Sequence, residues 1–198
     1  MPQSIPLFPL HTVLFPGAVL PLHIFEQRYR RLVREARDFG IVLIQEGREV
    51  GSVPQVHEVG TLATLEQVDA LPDGRFNVVV KGLQRFRLVS VGEPAPYLVG
   101  EAELLEDPPP KAGTRLIARL EQYLELHGMV VAPQLSSALG KRAVWLAGAV
   151  LQIEPAKRQA LLESGDPNVA EALLEDEIER IRRLGHLQSV PPAGLSPN

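Results

Sequence analysis

The rhythm of apolar and polar positions changes once along this chain. From Ile5 to Glu106, Val, Leu, Ile and Phe come in short runs cut by Gly and Pro, a pattern that predicts strands. Ile41–Ile44 is a run of the buried type. Phe76–Val80 follows Asp73-Gly74, a dipeptide that suits a tight hairpin because both residues tolerate positive φ. Gly82 predicts a second bend or a bulge. Phe86–Val91 then alternates, with Phe86, Leu88 and Ser90 on one face and Arg87, Val89 and Val91 on the other, and Tyr97–Leu105 reads as a further strand. One helix interrupts this half. Phe25, Tyr29, Leu32, Val33 and Ala36 fall on an inward stripe, while Arg28, Arg30, Arg31, Arg34, Glu35 and Arg37 occupy the polar face.

Asp107–Gly113, with Pro108, Pro109 and Pro110 in a row, stops both helix and central strand, because proline lacks the amide donor. Beyond it the spacing is helical. Leu116, Ile117, Leu120, Leu124 and His127 make one stripe, and Leu139, Val144, Leu146, Val150 and Leu151 predict a second, largely buried helix. Pro155 fits the first position of a third helix ending near Gly165. Asp166-Pro167 fits the cap and first turn of a fourth, with Val169, Leu173, Ile178 and Ile181 inward. The expected organisation is therefore α+β: a β-rich part at 1–106, a Pro-rich linker at 107–113, a helical bundle at 114–187 and a disordered tail at 188–198.

Composition narrows the chemistry. The 198 residues contain no Cys, which removes a disulfide framework, a thiolate nucleophile and Cys-ligated zinc, and fits a reducing compartment. No secretory signal is recognisable at Met1-Pro2-Gln3-Ser4, and the apolar run near Ala143–Ile153 falls short of the ~20 residues that a membrane span needs. A cytoplasmic protein with no membrane association is expected. Net charge is −4 and neither side of the proline run is strongly basic, so the electrostatic footprint of a nucleic-acid binder is missing.

Candidate reactive groups are sparse. His11, His23, His57, His127 and His186 show no paired spacing of a helical zinc site, so no metal is expected. Ser136 or Ser137 with Lys141 has the composition of a Ser–Lys pair, but a serine there also suits the cap of a helix starting near Ala138. Gly47 and Gly51 lack both the spacing and the following Lys-Ser or Lys-Thr of a phosphate-binding loop, so no nucleotide cofactor is expected.

Two segments are distinctive. Ile5–Val33 carries a Pro-Leu-Phe-Pro start, a Leu-Phe-Pro-Gly turn and Phe25-Glu26-Gln27-Arg28-Tyr29; Leu71–Val89 carries Gly82-Leu83-Gln84-Arg85-Phe86, with Pro96-Tyr97-Leu98 after it. Together they resemble the N-terminal, substrate-recognition domain of ATP-dependent Lon proteases. The likeness is closest over residues 5 to 105 and weaker in the helical half, including Lys157–Glu163. It implies a stand-alone homologue built as a β-rich pseudo-barrel followed by a helical bundle, which holds unfolded or tagged polypeptides. The ATPase and Ser–Lys protease modules that follow this domain in Lon have no counterpart in these 198 residues, so a non-enzyme is expected.

The expected binding surface is an apolar groove between the β-rich and helical halves. Phe8, Phe15, Tyr29 and Tyr97 are its candidate walls, and Arg28 and Arg85 its candidate polar contacts, with Glu26 able to pair with either arginine. This reading requires that junction to be open. Its partners are unfolded or partly folded polypeptides, and a separately encoded protease to which the protein serves as adaptor or chaperone-like module. The alternative is an RNA-binding pseudo-barrel, for which Arg28, Arg31, Arg34, Arg85 and Arg87 must share one patch. A small hydrolase requires His23 or His57 beside a carboxylate and a hydroxyl.

Overall fold

The computed structural model describes residues 2–48, 54–92, 96–107, 113–129 and 142–189, the last five by their backbone alone. Pro108–Pro110, Ser136, Ser137, Leu139, Lys141 and the tail from Val190 lie outside the described residues. Seven strands come first: β1 (Gln3–Leu10), β2 (Val19–Ile24), β3 (Asp38–Glu46), β4 (Gln55–Val56), β5 (Val59–Ala70), β6 (Phe76–Val91) and β7 (Val99–Leu104). Helix α1 (Gln27–Glu35) stands between β2 and β3. Among the described residues four helices follow the strands: α2 (Thr114–Leu126), α3 (Ala143–Val150), α4 (Pro155–Ser164) and α5 (Pro167–Ser189).

The strands run in the order β1-β7-β6-β5-β3, and β1 also pairs with β3, which closes the sheet on itself. Its first half, Gln3–Pro6, pairs antiparallel with Val99–Ala102; its second, Leu7–Leu10, pairs parallel with Gly40–Leu43. The long strand β6 carries β2 along its first part and β7 along its last. Burial alternates along β6, with Phe76, Val78, Val80, Phe86 and Leu88 inside. Asp73-Gly74 forms the expected turn, with Gly74 at φ 79° and Leu71 N–H donating to Arg75 O at 2.8 Å. Gly82 sits at a register shift against Leu62 and Ala63, the expected bulge.

Three apolar clusters divide the work. Leu7, Val42, Phe86 and Leu88 belong to one within the sheet. Phe8, Tyr29, Leu32, Val33 and Phe39 hold α1 against it. The largest joins sheet and bundle through Phe15, Leu120, Tyr123, Trp145, Leu161 and Leu174.

The helical half corrects the sequence reading in detail. On α2 the buried set is Leu116, Leu120, Tyr123 and Leu124, and His127 is an exposed C-cap whose Nδ1 lies 2.9 Å from Tyr123 O. On α5 the inward face is Ala170, Leu174, Glu177 and Ile178, with Val169 and Leu173 at its margin, a rotation of one residue. Pro155 opens α4 and Gly165, at φ 60°, ends it. Asp166 accepts the Asn168 N–H at 2.8 Å, as a cap should.

Buried Glu177 is held below the ordinary glutamate range, chiefly by its hydrogen bonds from Arg180. A carboxyl whose folded pKa is depressed contributes stability above its unfolded pKa and loses it as pH falls through the folded value. The acid limb of the unfolding curve, below about pH 4.3, is therefore expected to flatten in Glu177→Gln. Denaturant midpoints measured between pH 3 and 6 check this; parallel curves for both proteins count against it.

Candidate functional site

The sequence-predicted site residues separate into two places. Phe15 and Arg85 lie at the junction of sheet and bundle. The segment before Phe15 is pinned by Thr61, whose buried hydroxyl donates to Leu14 O at 2.6 Å. Gly17 N–H donates to Gly82 O at 2.8 Å, and Gly82 N–H donates to Ala18 O at 2.9 Å. A Cβ at Gly82 would stand 2.3 Å from Phe15 O, so the bulge of β6 needs glycine to let this turn approach. The Phe15 ring then points into the bundle. It is 0% exposed, packs against Trp145 at 6.3 Å, and leaves no room for a Cβ at Gly148.

Two arginines complete this seam, Arg85 buried and Arg158 half-buried. Arg85 of β6 lies over the Trp145 ring at 4.8 Å. Its guanidinium donates to Leu162 O at 2.9 Å, Glu163 O at 3.2 Å and Glu106 O at 3.1 Å. Leu162 and Glu163 form the last turn of α4, where carbonyls lack helical partners, so Arg85 acts as a cationic C-cap supplied by the sheet. Arg158 of α4 lies over Phe15 and donates to Gly148 O and Val13 O, both at 3.1 Å. Burial lowers the pKa of both guanidiniums; for Arg85 the charge of Asp107 opposes the shift. Gln159 donates to Val59 O at 2.9 Å.

At Phe15 and Arg85 the junction where a groove was expected is therefore filled. Phe15 and Arg85 are packing and capping groups there, because the turn anchored on Gly82 aims the ring between the helices. A recess of about 130 Å³ remains beside Pro16, Ala18, Trp145 and Leu146, and a polar hollow of about 370 Å³ beside His57, Glu58, Arg87 and Glu163.

The second place is the meeting of β1, β2 and the start of α1. Phe8, Leu10, Pro21, Leu22, Phe25 and Tyr29 line a hollow of about 210 Å³ there, together with Pro9, His23, Ile24 and Glu26. Phe8 and Tyr29 stack at 4.1 Å to form part of its wall, and both are largely buried. Phe25, expected inward, is 51% exposed at its rim. Glu26 is the extended N-cap, so Phe25 precedes the helix and the helical stripe does not reach it. Glu26 pairs with Arg28 at 3.0 Å, and Arg28 lies over the Tyr29 ring at 4.6 Å. Tyr97 stands on the far flank of α1, donating to Glu35 at 2.9 Å while Arg31 pairs with the same carboxylate. Sequence reasoning missed Leu22, Pro21 and the outward turn of Phe25; the alternation along β2 was the available signal.

The edge of β2 away from β6 has a further property. Ala18 O accepts from Gly82, so in the antiparallel register the backbone groups of Val19, Pro21 and His23 face outward. Pro21 has no N–H to offer on that edge.

The arrangement needed for an RNA patch is split. Arg85 is buried in the seam and Arg87 pairs with Glu58 at 3.9 Å, while Arg28, Arg31 and Arg34 belong to α1. The histidines also separate. His23 donates to Asn77 Oδ1 at 2.7 Å, and His57 lies 3.3 Å from Glu163. Among the described residues, the hollow holding His57 is lined by no hydroxyl side chain. No helix among the described residues is long and apolar enough to cross a membrane.

Residues 4–180 match the family described as the ATP-dependent protease La (LON) substrate-binding domain. The Lon protease of Flavobacterium johnsoniae is 32% identical over 133 residues, which cover 64% of this chain and 16% of that protein. The Lon protease of Escherichia coli K12 is 28% identical over 200 residues, covering 90% of this chain and 25% of its own length. The chain thus spans a quarter or less of the length of these relatives. The crystal structure of a Lon N-terminal domain protein from Xanthomonas campestris matches with a TM-score of 0.63 at 30% identity, covering 96% of this chain and 99% of that one. The N-terminal domain of the Mycobacterium avium complex Lon protease matches in fold, with a TM-score of 0.62 at 19% identity over 89% of this chain and 98% of that one.

Proposed function

This chain belongs to the family of LON substrate-binding domains, and from that premise we propose that it binds segments of unfolded or partly folded polypeptide without catalysing a reaction on them. The observation that carries the reading is the hollow at the start of α1, with Phe25 half out of the surface beside it. An apolar client side chain placed between Phe8, Leu22, Phe25 and Tyr29 leaves water, at about 25 cal/mol per Å² before ordering costs are subtracted. The outward edge of β2 bears on the mode of binding. Strand addition needs an unbroken row of donors and acceptors, and Pro21 interrupts it. Capture is therefore by side chain, which tolerates many client sequences. The site is set in the cytoplasm, and a separately encoded protease is the natural recipient of a client held this way.

Phe25→Ser tests this without disturbing the core. Calorimetric titration with a permanently unfolded, reduced model protein is expected to show binding by the native chain. The variant should bind about five- to twentyfold more weakly, the value of one buried aromatic. Its melting temperature should stay within about 2 °C of the parent, as for a surface substitution. Equal affinity in both proteins, or no binding at high micromolar concentration, removes the hollow as the client site.

A further inference from the structure

Helix α1 and the two residues after it carry two kinds of arginine. On one flank Arg28 is paired with Glu26 and Arg31 with Glu35. On the other, Arg30, Arg34 and Arg37 have no carboxylate within 4 Å among the described residues. Side-chain contacts place Arg30 and Arg34 on the side facing the β5–β6 hairpin, and a backbone contact places Arg37, two residues past the helix, beside β5. Arg30 Nη2 crowds the space above Gly74, Arg34 lies over the Phe76 ring at 5.2 Å, and Arg37 O accepts the Leu65 N–H at 3.0 Å. Arg34 and Arg37 are exposed and Arg30 is half-buried, its Nε without a hydrogen-bond partner. The acids of the hairpin are engaged elsewhere: Asp73 with Arg75, Glu66 with Lys81, and Asp69 with Gln67. Asp38 makes no ion pair among the described residues and offsets at most one of the three charges.

We infer that Arg30, Arg34 and Arg37 form a docking ridge for an acidic stretch of polypeptide. Arg30 and Arg34 stand one helical turn apart, about 6 Å of rise, and Arg37 follows past the helix end, after Ala36 in extended backbone, a spacing that suits two or three carboxylates on an extended chain at ~3.3 Å per residue. Guanidinium groups suit this work because each offers a fork of donors to a carboxylate. The partner is a polypeptide and not a nucleic acid because the ridge is short and isolated in a chain of net charge −4. A polyphosphate backbone would run past it onto acidic surface. The ridge is distinct from the hollow, so it goes beyond the client-holding reading and can fail without it.

The test is fluorescence anisotropy with a short dye-labelled Glu-rich peptide, a Lys-rich peptide of matched length and a single-stranded RNA of similar charge. The Glu-rich peptide should bind the native chain and the Lys-rich peptide should not. In R34E/R37E the affinity should fall about tenfold, and in R34Q/R37Q about threefold. Binding should be lost by about 0.5 M salt, as expected for exposed charges. Phe25→Ser should leave Glu-peptide binding intact, which separates failure of the ridge from failure of the hollow. Because Arg34 also stacks on Phe76, R37E alone serves as the variant with least risk to folding, and thermal melts confirm that each variant is folded. Glu-peptide binding no tighter than Lys-peptide binding, or indifference to every ridge variant, overturns the proposal. Tighter binding of the RNA with the same variant sensitivity also overturns it.

Discussion

Replacing Arg85 by methionine is expected to lower the unfolding free energy by about 3 kcal/mol, the scale of lost charge-assisted hydrogen bonds, and the melting temperature by about 6–12 °C for a chain of this length. Methionine matches much of the volume, so the loss is not mainly one of packing. It comes from the partners left behind. The carbonyls of Leu162, Glu163 and Glu106 are backbone groups that no side-chain change can remove, and each loses its guanidinium donor. Two of them end α4, whose own hydrogen-bond ladder cannot reach them. A buried ion pair can often be replaced by apolar groups because both charges leave together; here only one side of the interaction leaves. Arg85→Lys should fall between the two, since a single ammonium cannot reproduce the planar fork that reaches both the end of α4 and Glu106. Thermal and urea unfolding measure the effect, and a fall in melting temperature under 2 °C for the methionine variant would show that Arg85 does not cap α4.

Phe15→Ala is expected to cost about 3–5 kcal/mol, the usual range for deleting a buried aromatic ring. The ring fills the space between the Leu14–Ala18 turn and α3, and neither wall can move in to close it. The turn is tied to β6 at Gly82 by two backbone hydrogen bonds, while Arg158 holds α3 and α4 together by donating to Gly148 O. The same variant distinguishes two roles for Phe15. If the ring is core, stability falls and the affinity of the remaining folded protein for an unfolded client is unchanged. If it walls a groove, affinity falls and stability barely moves. The second result would restore the junction as the binding site and remove the case for the hollow beneath Phe25.

Much of the architecture was legible in residue order because local chemistry decided it. Asp73-Gly74 can only turn, Pro155 and Gly165 bracket a helix, and the alternation from Phe86 to Leu88 assigns an inner face. The position of the site was less legible. Phe15 and Phe25 are both aromatic residues near turns, and nothing local says that one is wholly buried and the other half in water. That difference is made by partners 67 to 143 residues away, Gly82, Trp145 and Arg158 for Phe15. Arg85 illustrates the same limit. A charge in a strand reads as surface or as binding chemistry, and only the arrival of the C-terminal end of α4 turns it into a buried cap. The binding proposal accordingly rests on the hollow and not on the junction first expected to be open.

The closure of the sheet sets a timetable for synthesis. Strand β1 can dock Leu7–Leu10 on β3 early, but Gln3–Pro6 must wait for Val99–Ala102. At the usual pace of translation, roughly 5–20 residues per second, that wait lasts on the order of 5–20 s. Throughout it, the half-strand containing Ile5 stays unpaired on a nascent chain. A protein proposed to shelter the exposed segments of others thus passes through a comparable exposure of its own, and ribosome-associated chaperones acting in that interval are the place to look for what protects it.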